Sequence, residues 1–244
     1  MGLLITLVLG LFIVIGAMIT FASKNNNKFV NFSISLACSV MIMLMFVDLI
    51  PEIKEIFIEE LGNIKGIIFA IIGVVVGIVL LKILDIFIPD HDGREKEELN
   101  HIGLISSIAL VLHNIIEGMA VYTTVNNSLK AGILISIGVG LHNIPLGMVI
   151  TSTFYKANND KKKTWLIVTL VALSTFLGGL IMMLLSGVLV NELMLGALLS
   201  ITLGMLIYIS IFELLPKIVE MKNKKVAIYG ILTGVVLILI TIFI

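Results

Sequence analysis

Residues 101–125 read HIGLISSIALVLHNIIEGMAVYTTV, an apolar run whose only ionisable side chains of intermediate pKa or acid type past its first residue are His113 and Glu117, near its centre. A helix needs about 20 such residues to cross the hydrocarbon core of a bilayer. Side chains four residues apart on a helix lie about 40° apart around the axis and about 6 Å apart along it. An imidazole and a carboxylate so placed can close on one ion. Left unpartnered at that depth, either group costs several kcal/mol, so the default reading of such groups is functional. The next run, residues 129–155, carries His142 and Asn143 at the same depth.

Outward from these two runs, the composition is 59% apolar and 13% charged over 244 residues. A soluble domain carries nearer one quarter charged residues, so the chain is an integral membrane protein. Runs of 18 or more apolar residues predict helices near 2–23, 31–57, 63–88, 101–125, 129–155, 164–188, 193–219 and 225–243. The expected fold is all-α, polytopic and eight-spanning, one transporter-like domain over residues 1–244. A β-barrel would show strands of roughly ten residues with alternating polarity, and these runs are too long and apolar on all sides. The first run has no basic leader and no small-x-small cleavage pattern, so it reads as a retained helix. Net charge is zero and no basic face supports nucleic acid as a partner; membrane lipid is the expected surrounding. The single Cys38 reads as a small packing residue, and the methionines Met41, Met43, Met45, Met182 and Met183 as flexible core filling.

Of the 16 Lys and Arg residues, 13 fall in or beside the odd-numbered connectors, and only Lys54, Lys65 and Lys130 lie toward the other side. The positive-inside rule therefore places the odd connectors in the cytoplasm and both termini outside. Two sequence echoes cross this topology. Helix 2 carries Asp48-Leu49-Ile50-Pro51 and helix 7 carries Glu213-Leu214-Leu215-Pro216; helix 4 carries His113-Asn114-Ile115-Ile116-Glu117-Gly118 and helix 5 carries His142-Asn143-Ile144-Pro145-Leu146-Gly147. In each pair the two helices run in opposite directions. The pattern predicts inverted repeats, helices 1–3 against 6–8 with helices 4 and 5 central, the usual plan of a secondary transporter with a midplane site.

Neutral imidazole suits Zn²⁺, Fe²⁺, Co²⁺, Ni²⁺ and Cu²⁺, and a carboxylate supplies the charge that a divalent ion needs in a low-dielectric interior. His113, Glu117 and His142 would give three protein ligands and leave a position open, which suits an ion that must leave again. A lone intramembrane histidine is more often a helix-to-helix hydrogen bond worth about 1 kcal/mol. Two His-Asn pairs at equal depth, one followed by a glutamate on the same face, favour an ion site instead. Pro51, Pro145 and Pro216 interrupt the helical ladder beside these groups. Gly138, Gly140, Gly178, Gly179 and Gly196 offer close helix approach.

These strings, with eight helices and external termini, resemble the ZIP family of divalent-metal transporters over the whole chain. The resemblance implies a mid-membrane metal site on helices 4 and 5, and a homodimer in which helices 1, 4, 5 and 6 move against helices 2, 3, 7 and 8. His113, Asn114 and Glu117 match the family's helix 4 motif, and His142 and Asn143 match its zinc-transporting branch. Two positions depart from it. Leu146 stands where the family usually has Glu, and Thr175-Phe176-Leu177-Gly178 stands where it commonly has Glu-Pro-Leu-Gly. With those carboxylates missing, a second divalent ion would lack compensating charge, so the expected site is mononuclear: His113, Glu117 and His142, with Asn114, Asn143 and Asp48 nearby. Glu52 and Glu213 are weaker candidates, and the stretch 89–98 with His91, followed by His101, offers a short weak binding loop of the kind the family often has.

The expected function is uptake of a divalent transition metal through the plasma membrane, zinc first, with Fe²⁺, Mn²⁺, Co²⁺ and Cd²⁺ as neighbours. The metal is cargo, no cofactor is required and no bond is made or broken. Two rivals stand beside this reading: a non-transporting metal sensor, kept open by Leu146 and Thr175, and an intramembrane metalloprotease, for which the HExxH string is missing.

Overall fold

The computed structural model describes residues 1–23, 26–88, 95–185 and 192–242, and among these it contains helices and no strand. Eight helices are long and apolar enough to span a bilayer: α1 (Gly2–Ala22), α2 (Asn27–Leu61), α3 (Asn63–Phe87), α4 (Glu95–Asn127), α5 (Leu129–Asn158), α6 (Lys161–Leu185), α7 (Glu192–Glu220) and α8 (Lys224–Ile242). The chain is a multi-pass membrane protein of all-α class. His91 and Arg94 of the acidic connector, and the predicted end of the sixth span at 186–188, lie outside the described residues.

Several helices outrun their apolar runs. α2 starts at Asn27 and ends at Leu61, beyond the expected 31–57, and α4 starts at Glu95 rather than near 101. Hydropathy reports the thickness of hydrocarbon, whereas helix ends are set by caps. The Asn26 side chain accepts a hydrogen bond from the Phe29 amide to start α2. Gly62, at φ 78°, turns the chain out of it, a backbone conformation that favours glycine. Residues 95–98, expected in the connector loop, form instead the first turn of α4, where three acidic side chains suit the positive end of the helix dipole.

Helix contacts divide the bundle in two. α1, α4, α5 and α6 pack chiefly on one another, and α2, α3, α7 and α8 do the same; the two groups meet mainly where α2 touches α5 and α4 touches α7. The division obeys the predicted repeat, since α1 against α5 matches α6 against α4, and α2 against α8 matches α7 against α3. Glycines make the match atomic. A Cβ on Gly147 would lie 2.2 Å from the Ile13 carbonyl oxygen, and one on Gly16 would lie 2.2 Å from that of Ile144. In the other half, a Cβ on Gly118 would lie 2.0 Å from the Thr175 carbonyl oxygen, and one on Gly178 would lie 1.9 Å from that of Ile115. Backbone thus meets backbone at both α1/α5 and α4/α6, the close approach that small residues allow in membranes. By this register Gly147 is the counterpart of Gly118, and Leu146 of Glu117.

The acid-aliphatic-aliphatic-proline strings of α2 and α7 also behave alike. Each begins inside a short π-helical stretch that takes in the acid, Met45–Leu49 in α2 and Ile209–Leu214 in α7. The Ile50 amide bonds back five residues to Met45, and the Leu215 amide to Ser210. Proline at the next position has no N–H to give, so the ladder slips to the wider register just before it. Pro145 lies inside α5 without ending that helix. Cys38 is buried against α7, where its thiol reaches the Ser210 carbonyl at 3.7 Å, consistent with a packing role.

α3 shows how the exterior is solved by lipid. Only Gly66, Gly77 and Leu81 are buried on it, while Ile64, Ile67, Phe69, Ile71 and Ile86 stand exposed. At the end of α1, Phe21 stacks on Trp165 and meets the edge of Tyr155, with Lys161 6.0 Å above its ring. Such an aromatic and basic cluster fits a membrane interface.

Candidate metal site

α4 brings His113 and Glu117 one turn apart onto the face that meets α5, and α5 brings His142 against them. The Nε2 atom of His142 lies 2.9 Å from Oε1 of Glu117, and Nε2 of His113 lies 3.7 Å from the same oxygen. One ligand-type atom from each residue falls within 4.8 Å of the other two. A tetrahedral zinc ion with ligands at about 2.0–2.1 Å holds its donors about 3.3–3.4 Å apart, so small rotations would seat one here. His113 and His142 are 6% and 3% exposed, and the Glu117 side chain is 10% exposed. His113 Nε2 and Glu117 Oε2 are buried without a hydrogen-bond partner among the described residues.

Asn114 and Asn143 are fully buried one position along from each histidine. Asn114 donates through Nδ2 to the Val171 carbonyl on α6 at 3.2 Å, which ties α4 to α6 beside the site. The Asn143 amide lies against the Glu117 carboxylate, with neither of its polar atoms in hydrogen-bond geometry. Leu146 is 1% exposed within the apolar core, and Thr175 is wholly buried with its hydroxyl unpartnered. Among the described residues, no carboxylate other than that of Glu117 joins the cluster.

Asp48 stands above this group on α2. It lines a cavity of about 360 Å³ whose floor is His113 and Glu117 and whose wall includes Glu52 and Glu55. It also lines a cavity of about 310 Å³ that reaches His142 between α2, α5 and α8. The acids 48, 52 and 55 recur at helical spacing on one face of α2, so the cavity toward Leu61 is acidic. Of the candidates, His113, Glu117 and His142 therefore come together directly, Asn114 and Asn143 flank them, and Asp48 and Glu52 line the approach.

Glu213 does not join this site. It belongs to a second group, at the opposite end of α4, that the sequence reading left unassembled. Nε2 of His101 lies 2.6 Å from Oδ1 of Asp85 on α3 and 3.7 Å from Oε2 of Glu213 on α7. Tyr208 donates to the other Asp85 oxygen at 2.7 Å. Asp85, His101 and Glu213 line a cavity of about 410 Å³, with Glu98 bonded to Lys217 at 2.5 Å on its rim. His101 and Glu213 stand out in the sequence as isolated polar residues; Asp85, near the end of its apolar run, is not among the candidates named above. Both contacts join α4 to α3 and α7, and so bridge the two helical groups at this end.

Comparison with known proteins follows the same lines. A family model described as ZIP Zinc transporter matches residues 88–241. The zinc transporter ZupT of Oceanobacillus iheyensis is 33% identical over 251 residues, covering 96% of this chain and 94% of the relative. ZupT of Clostridium perfringens is 31% identical, covering 97% and 93%. ZupT of Streptococcus mutans is also 31% identical, covering 96% and 93%.

Proposed function

The chain belongs to the ZIP family of zinc transporters, carriers rather than enzymes, and from that premise we propose that it takes up a divalent transition metal, zinc first, through a mononuclear site on His113, Glu117 and His142. The observation that carries the site assignment is the convergence of those three donor atoms within 4.8 Å, with His113 and Glu117 at the floor of a cavity lined by acids. The metal is the substrate, and no cofactor is needed.

Each residue has a distinct part in this reading. Asp48 and Glu52 raise the local cation concentration along the approach, as a cleft lined by one sign of charge does. Water around the ion is exchanged for two imidazoles and one carboxylate. Glu117 cancels half of the ion's charge, and Asn114 holds α4 against α6 so that the donors keep their spacing. Release follows toward Asp85, His101 and Glu213 once α1, α4, α5 and α6 shift against the other four helices. The bridges from α4 to α3 and α7 must part for that cavity to open. The family likeness and the distribution of Lys and Arg support the finer reading: a homodimer in the plasma membrane, with the cavity of Asp48 and both termini outside. Accessibility of a terminal tag on intact cells reads that orientation directly.

Uptake of radioactive zinc into liposomes carrying the purified chain tests the function. Native protein should load zinc well above empty liposomes, and His113→Ala should not. Asp48→Asn should raise KM severalfold at an unchanged maximal rate, as expected for lost electrostatic capture. A native chain that binds zinc at His113 and moves none would favour the sensor reading, which Leu146 and Thr175 keep in play. Thermal shifts with zinc, iron, manganese and cobalt rank the metals in the same preparation.

A further inference from the structure

The two halves of the fold keep one register. Gly118 and Ile115 of α4 meet α6 as Gly147 and Ile144 of α5 meet α1, which makes positions 29 apart counterparts in α4 and α5. The wide-register bonds from Ile50 to Met45 and from Leu215 to Ser210 make positions 165 apart counterparts in α2 and α7. A third pair of interfaces agrees. A Cβ on Gly73 of α3 would lie 2.5 Å from that of Ser200, and one on Gly230 of α8 would lie 2.7 Å from that of Ser35, the matching serine of α2. By this register His101 answers to Lys130, Glu213 to Asp48 and Lys217 to Glu52.

One pair of related interfaces is out of step. Phe212, Glu213, Pro216 and Lys217 of α7 line the cavity of about 410 Å³, and their counterparts Val47, Asp48, Pro51 and Glu52 of α2 line the one of about 360 Å³, so each helix turns the same face inward. The helices across from them differ. α7 faces Glu98, His101 and Ile102 of α4, with His101 Nε2 3.7 Å from Glu213. Asp48 shares its cavities instead with Leu134, Ile135, Gly138, Val139 and His142 of α5. The middle of that stretch lies about eight residues past Lys130, or about 12 Å along the helix axis. Lys130 stands exposed at the second position of α5, one turn before Leu134 and on the same face. It is also one of only three Lys and Arg residues on its side of the bilayer.

We propose that Lys130 is the clamp that closes this end of the carrier behind the ion: when α1, α4, α5 and α6 shift against the other helices, its ammonium docks on the Asp48 carboxylate, as His101 docks on Glu213 in the structure described. The clamp rests on the carrier reading but not on which residues hold the metal. An arrangement that one half already adopts is open to the other, because the backbone contacts of the two halves match, and inverted repeats serve alternating access in this way. The residue type supplies the purpose. Asp48 attracts the incoming cation, and once that ion has gone inward a tethered cation takes its place, so the acid is not enclosed without a counter-charge. Glu52, one turn on, offers a second acceptor, so Asp48→Asn weakens capture without preventing closure.

Cross-linking in lipid nanodiscs reads this geometry. Cys38 is buried and adds no accessible thiol. A short bifunctional thiol reagent should join Asp48→Cys to Ile135→Cys in the arrangement described, and Asp48→Cys to Lys130→Cys only in the other. Asp85→Asn removes the closest bridge to His101, and should raise linking of 48 to 130 about threefold or more while lowering that of 48 to 135, as a shift between two populations requires. In liposomes, Lys130→Gln should lower the maximal rate of zinc uptake about fivefold without raising KM, and Lys130→Arg should restore it. No link between 48 and 130 even with Asp85→Asn, a yield that Asp85→Asn leaves unchanged, or native uptake by Lys130→Gln would each overturn the proposal. Cross-links that alternate as described in a chain that moves no zinc would uphold the clamp and count against the zinc reading alone.

Discussion

Glu117→Gln is expected to reduce zinc uptake to the level of empty liposomes. The change keeps shape and length and removes the formal negative charge from the cluster, whose other ligand atoms are imidazole nitrogens. At about 4 Å and an effective dielectric near 20, one unit charge pair is worth about 4 kcal/mol, and a divalent ion feels more before desolvation is subtracted. A net loss of about 4 kcal/mol corresponds to about a thousandfold in affinity. The substitution also alters the contact to His142, 2.9 Å from the lost oxygen. Zinc affinity by competition with a chromophoric chelator should fall in parallel with uptake. Uptake within about twofold of native would place the transported ion elsewhere and sink the assignment.

A second large effect is expected far from any ligand. Gly118→Ala and Gly178→Ala should each prevent stable assembly of α4 on α6, because the new methyl would stand 2.0 Å and 1.9 Å from carbonyl oxygens of the opposing backbone. A flexible side chain can move aside; a helix backbone in a packed interface cannot. Overpacking of a core costs about 1–3 kcal/mol in ordinary cases, and contact with backbone at these distances lies at or beyond the upper end. Gly138→Ala is the control, since its nearest neighbour is a side-chain atom of Thr241 at 3.7 Å. Retention of a monodisperse peak after heating in detergent should be lost in the first two variants and kept in the third. Equal survival of all three would mean that the α4/α6 contact is looser than described. Because Gly118 follows Glu117 directly, the same close approach keeps the carboxylate facing α5.

Much of this site was legible in the chain. His113, Glu117 and His142 declared themselves by polarity within apolar runs, and Asn114 and Asn143 by adjacency. The inverted repeat was visible in two short strings and gained its full register only from the glycine contacts, where Ile13 and Gly16 answer to Thr175 and Gly178. Asp85 gave no usable signal. Its importance depends on His101 and Glu213 arriving from other helices, and the pairing of residue 101 with residues 85 and 213 has no trace in local spacing.

The sequence alone determined the eight spans, their all-α character and the place of the histidines near the middle of two apolar runs. Transfer of a segment into hydrocarbon depends on that segment's own length and composition, so it can be summed along the chain. Tertiary packing alone decided the sorting of helices into two groups, the meeting of α3, α4 and α7 around His101, and the stranding of the Thr175 hydroxyl. Lipid is as apolar as the side chains it surrounds, so burial gives little preference for one helix neighbour over another. Steric fit and hydrogen bonding between distant residues make that choice, and both are properties of paired surfaces rather than of either strand of sequence.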